Sequence, residues 1–118
     1  MTAGPIIDDP ESPLGPDWLG ERWLGLPIDF DFYFSAEAVS SADLFLVDDV
    51  DQFEYYRSLG HFQGWPKPDG SVGEALGRAG SPDRVLCCNL GVGALDAAFA
   101  ARVLAAARVR GVGTELPL

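Results

Sequence analysis

Basic residues are scarce in this sequence. It has 8 Lys and Arg against 18 Asp and Glu, for a net charge of −10. The shortage is uneven: residues 1–75 hold 15 acids and 3 bases, net −12, whereas residues 76–118 hold 3 acids and 5 bases, net +2. A nucleic-acid surface needs clustered Lys and Arg to displace counterions, so that class of partner is excluded. The acid excess is read as a solubility feature. Histidine occurs once, and the two cysteines are the neighbours Cys87 and Cys88, so no zinc ligand set is present. Adjacent residues on a strand face opposite ways, which keeps these two thiols from pairing. Two free thiols and no basic-then-apolar leader point to a reducing, cytoplasmic setting. No apolar run approaches the roughly 18 residues that a membrane span needs, and there is no internal repeat.

What remains is an α/β pattern. A hydrophobic content of 47% over 118 residues is enough for one domain, or part of one, with its own core. The last third carries the clearest signals. Val85–Cys88 is a short apolar run with the length of a buried strand. Asn89 to Gly93 is a turn whose two glycines permit positive φ. Residues 94–108 include eight alanines and predict a helix. Leu95, Phe99, Val103 and Ala106 give that helix one apolar face. Asp96 near its start and Arg108 and Arg110 near its end suit the helix dipole, and Gly111 is a natural stop. Thr114–Leu118 is expected to form a final short strand.

Upstream, Met1–Ile7 reads as a strand or its tail and Asp8–Pro16 as a proline-rich loop. Trp18–Leu24 is expected to make one or two helical turns. Ile28, Phe30, Phe32 and Phe34 alternate with polar residues and predict a strand. Ser35 caps a short helix through Ser41. The unbroken run Leu44-Phe45-Leu46-Val47 suits a parallel strand covered on both faces. Asp48, Asp49 and Asp51 are helix-start acids ahead of a helix over 51–59, not the spaced oxygens of a calcium loop. Gly60–Asp69 is loop, and His61 within it is a loop histidine. Ser71 and Glu74 form a capping box for a helix to about Ala79. Strands near residues 3, 45 and 86, paired in parallel, would make half of a doubly wound sheet. A dinucleotide fold also needs a G-x-G-x-x-G turn. The one glycine turn here, Gly91-Val92-Gly93, lacks the third glycine, and the acid that should follow on a further strand is also absent.

The ending N-L-G-V-G-A-L-D-A-A-F-A, then R-G-V-G-T-E-L-P-L, resembles the C-terminal end of the ornithine cyclodeaminase/mu-crystallin family. Thr2-Ala3-Gly4 followed by Asp8-Asp9-Pro10 is similar to that family's strand end V-G-(G/A)-D-x-P-G. The resemblance spans the second half of a family member. It implies a Rossmann-like, mostly parallel sheet with flanking helices and a C-terminal helix–strand return segment. Residues 1–93 would be the C-terminal part of an NAD-binding domain. Residues 94–118 would dock on a substrate domain outside this sequence.

The implied chemistry is hydride transfer between an amino acid or imine and NAD, with amino-acid dehydrogenase, cyclodeaminase or ketimine reductase as the possible activities. By the resemblance, Asp8 would take the family's acid/base position, with Asp9 one place past it, Gly4 and Asn89 would approach the cofactor, and Leu90 would approach the substrate. The family's following G-K is Glu11-Ser12 here, so a lysine contact to the cofactor is missing. A homo-oligomer or a partner supplying the N-terminal half is implied as well. The alternative reading is a non-catalytic α/β remnant or the partner-binding piece of a split protein, with an unpaired sheet edge.

Overall fold

The structure, a computed structural model, describes residues 1–77 and 80–117. The fold is α/β, built on a four-stranded sheet in which every pair is parallel. The elements are β1 (Trp23–Gly25), α1 (Ala36–Ser40), β2 (Leu44–Val47), α2 (Val50–Ser58), β3 (Gly70–Ser71), α3 (Val72–Ala75), β4 (Arg84–Cys88) and α4 (Gly93–Arg110). The strand order is β1-β4-β2-β3. The last strand in sequence therefore lies between the first two, with Val85 beside both Leu24 and Leu44. Among the described residues no helix is long and apolar enough to cross a membrane.

Strand register divides the side chains between two faces. Phe45, Val47, Leu86 and Cys88 share one face and are all buried. Over them lie Ala38 and Val39 of α1, Phe53 of α2, and Phe62 and Trp65 from the loop that follows α2. The rings meet at preferred distances and tilts. Phe53 and Phe62 centroids are 4.6 Å apart, and Phe45 meets Phe53 edge-on at 5.6 Å. Gly25 belongs to this face because an added Cβ would lie 2.7 Å from Leu86 and 2.9 Å from Phe34. The opposite face is less covered. Leu46 is buried, but Leu44, Val85 and Cys87 are only partly so and Leu24 is exposed.

The local signals around β2, β4 and the caps agree with the sequence. Ser35 accepts from the Ala38 N–H, Asp49 caps α2 by accepting from Gln52, and Ser71 and Glu74 form a reciprocal capping box. α3 is shorter than the sequence predicts, ending at Ala75, and Arg78 and Ala79 lie outside the described residues. α4 runs through Arg110 and ends at Gly111 in the left-handed region at φ 62°. There the Gly111 and Val112 N–H groups donate to Arg108 and Ala107.

Four expectations need correction. No strand forms near residue 3. Thr2 makes a single parallel bridge to Pro27, and Pro5 has no N–H to extend it. Trp18–Leu24 is not helical. A 3₁₀ turn covers Pro16–Trp18, and Trp23 enters the sheet by donating to Asp83. The alternating segment 28–34 is not a strand. Phe30 adopts φ 57°, and both Asp29 and Asp31 turn inward. Thr114–Pro117 carry no strand, and Leu118 lies outside the described residues. Among the described residues, those after Gly111 pair with no strand.

The burial contrast predicts the cost of truncation. Phe53→Ala, at a fully buried ring, is expected to cost about 3–5 kcal/mol. Phe99→Ala, at an exposed ring of α4, is expected to fall within about 0.5 kcal/mol of wild type. Urea unfolding of the two variants checks the difference.

Candidate functional site

In a parallel α/β sheet, ligands approach the edge where the strands end. Here that edge is formed by the turns after β1, β2 and β4. They contribute Pro27 and Asp29, Asp48 and Asp49, and Asn89 to Val92. Backbone and side-chain bonds tie these turns together. Asn89 N–H donates to Pro27 C=O at 2.9 Å. Asp48 accepts from Gly91 N–H at 2.7 Å, and Gln52 donates to Gly91 C=O at 3.2 Å. The glycine turn before α4 is thus held by a carboxylate.

Asp29 is the unusual group on this edge. It is 1% exposed. Its Oδ1 accepts from the Thr2 hydroxyl at 2.8 Å. Its Oδ2 is buried and has no partner among the described residues. A buried polar atom without a partner is costly, so such an atom calls for an explanation. Thr2, which covers it, is half-buried and bonded through its backbone to Leu26 and Ile28. Asp31, two residues on, is committed to structure. Its carboxylate accepts from Phe62 N–H and lies 3.9 Å from His61 Nδ1. It thereby pins the loop that places Phe62 and Trp65 in the core.

The residues proposed from sequence are not brought together. Asp8 and Asp9 are exposed and line an acidic cleft with Glu11, Asp31 and Glu37. Asn89 lines a different, apolar cleft of about 370 Å³ with Val72, Leu76, Val92 and Leu95. Its amide is spent locally, with Nδ2 donating to Cys87 C=O and Oδ1 accepting from the Cys87 thiol. Leu90 packs against the core. Gly4 faces the Phe32 ring, where an added Cβ would lie 2.5 Å away. Sequence reasoning missed Asp29 and Thr2. The available signal was the short apolar run Trp23-Leu24-Gly25-Leu26, stopped by Pro27, with an acid two residues later.

The charge on this edge bears on the cofactor that the resemblance implies. The turns leaving β1, β2 and β4 carry Asp29, Asp31, Asp48 and Asp49 and no Lys or Arg. A dinucleotide pyrophosphate needs free N–H groups and positive potential, so these residues do not fit it. Cations lie at the opposite edge instead. Arg22 pairs with Asp83 at 3.1 Å. Arg84 hydrogen-bonds Asp43 and holds that carboxyl below its usual range. No family model matches this chain, and no curated protein matches it.

The thiols at the end of β4 respond to the same surroundings. Burial pushes the Cys88 thiol far up, and the Asp48 charge adds to the shift. Burial also raises Cys87, partly offset by its bond to Asn89. A raised folded pKa favours the neutral thiol. Its stabilisation is complete below the unfolded value of about 8.5 and is lost as pH rises toward the folded value. Wild-type stability is therefore expected to fall between pH 8.5 and 10, by up to about 1.4 kcal/mol per pH unit from Cys88. The variant Cys88→Val should lose that share of the slope. Denaturant unfolding across this pH range checks the difference between the two proteins.

Proposed function

We propose that this chain is the C-terminal portion of an oxidoreductase or lyase of the ornithine cyclodeaminase type, acting on an amino acid or imine and inactive by itself. The C-terminal stretch of sequence supports the family, and the parallel sheet is compatible with it. The observation that carries the chemistry is the uncommitted Oδ2 of Asp29 at the strand-end edge. A carboxylate there is suited to take a proton from, or return one to, a substrate nitrogen. The acidic edge also favours a substrate amine over an anion. We therefore assign the acid/base role to Asp29 rather than to Asp8, because Asp29 follows a strand and Asp8 lies in an exposed loop. NAD is the cofactor implied by the resemblance. Its pyrophosphate would be held by a G-x-G-x-x-G turn, which this sequence does not contain. The partner-binding alternative draws support from the uncovered α4.

The chain alone is expected to show no NAD turnover with ornithine or alanine. Joined in cis or in trans to a family half that carries the fingerprint turn, it is expected to gain activity. In that assembly Asp29→Asn should lower kcat by about 10²–10⁴-fold, while Asp8→Asn and Asp9→Asn stay near wild type. Turnover by the isolated chain would overturn the inactivity. A selective loss in Asp8→Asn would return the acid/base role to that residue.

A further inference from the structure

We propose that the outer edge of β1 is a strand-addition site, and that the strand it takes is the polypeptide leading directly into Thr2. The proposal rests on the reading of this chain as the C-terminal portion of a longer protein, and it names where the preceding portion joins the sheet. In a parallel ladder, successive residues of a strand turn their backbone groups to alternate sides. Trp23 and Pro27 turn toward β4, since Trp23 N–H donates to Asp83 C=O and Pro27 C=O accepts from Asn89 N–H, each at 2.9 Å. Leu24, Leu26 and Ile28 therefore turn outward. Thr2 already occupies one end of that outer edge. Its N–H donates to Leu26 C=O and its C=O accepts from Ile28 N–H, both at 3.2 Å. Its hydroxyl donates to Asp29 at 2.8 Å.

The Thr2–Pro27 bridge is parallel, so it sets both direction and register for a strand continuing upstream. The residue directly before Met1 comes opposite Gly25, with its N–H at Leu24 C=O and its C=O at Leu26 N–H. The third residue before Met1 brings its C=O to Leu24 N–H. Among the described residues these three Leu24 and Leu26 groups have no hydrogen bond. The stretch Trp23-Leu24-Gly25-Leu26 also lacks the charges and prolines that keep an edge from pairing. The Leu24 side chain is 61% exposed, and the second residue before Met1 lies opposite it on the less covered face of the sheet. The other edge differs. β3 is two residues long, and Ser71 N–H is taken by the Glu74 carboxylate at 2.9 Å. Strand addition binds through main-chain hydrogen bonds. Here the covalent link through Met1 makes the contact intramolecular, so a small interface is enough.

Extending the full chain by Thr-Val-Thr directly before Met1 tests this by NMR. The added residues are expected to show Overhauser contacts to Leu24–Leu26 in the parallel register. The Leu24 and Leu26 amides should exchange with deuterium about fivefold or more slowly than in the unextended chain, as one added hydrogen bond gives. A Pro-Gly-Pro extension has no donor to offer Leu24 and should leave both rates at the unextended values. Neither extension alters the body, and unchanged exchange at Phe53 and Leu86 will show that it still folds. Equal rates at Leu24 and Leu26 in all three proteins overturn the proposal. So do contacts in an antiparallel or shifted register, or an extension that docks beside β3. Activity is a separate readout. In an assembly with a family half, activity without these contacts overturns the strand addition and leaves the proposed function standing. The contacts without activity uphold the strand addition and count against that function.

Discussion

The fold depends on the insertion of β4 between β1 and β2. β1 and β2 do not pair with each other. Arg84–Cys88 lies between them, pairing with β1 on one side and with β2 on the other, while β2 carries β3 on its far side. Leu86, fully buried at the centre of that strand, is flanked by Gly25 on one side and Phe45 on the other. Gly25 has no side chain because Phe34 and Leu86 already fill the space. The aromatic layer is likewise an outcome of this arrangement. Phe53, Phe62 and Trp65 have a floor to pack on only once Phe45 and Leu86 are side by side. Pairing over such sequence separations closes long loops before it gains contacts, which makes formation of this sheet the slow, all-or-none step of folding.

Local chemistry made some of this architecture legible. The apolar runs of β2 and β4, the Ser35 cap and the Ser71–Glu74 box depend on residues close in sequence, and the structure has them where the sequence places them. Residues 18–34 were not legible for the opposite reason. Asp29 finds its donor in Thr2, and Asp31 finds its donor in the Phe62 backbone, 27 and 31 residues away. Without those distant partners, acids alternating with aromatics read as the wet and dry faces of a strand. In the fold Asp29 and Asp31 turn inward together with Phe30 and Phe34. The candidate site was hidden by the same mechanism, because nothing local distinguishes a buried aspartate from a solvated one. The length of α4 was written in its alanines, but its lack of cover was not, since an apolar stripe specifies a partner surface without saying where that surface is.

The two edges of the sheet differ in electrostatic character. Where the strands begin, acids meet bases in exposed pairs, Arg22 with Asp83 and Arg84 with Asp43. Such pairs contribute little stability but neutralise that edge. Where the strands end, Asp29, Asp48 and Asp49 lie in turns without a base. Asp48 and Asp49 are occupied with backbone N–H groups of the Gly91 turn and of α2. Among the described residues of this edge, Asp29 has a buried carboxylate oxygen without a partner.

α4 owes its helical state to its own residues rather than to the body. Alanine-rich segments of about this length are marginal helices in water, and their helicity declines gradually with temperature. The sheet and its aromatic layer are cooperative and melt over a narrow interval. The chain therefore contains two thermal regimes. On warming, amide protons of Gly93–Arg110 become free to exchange with solvent deuterium well before those of Leu86 and Cys88.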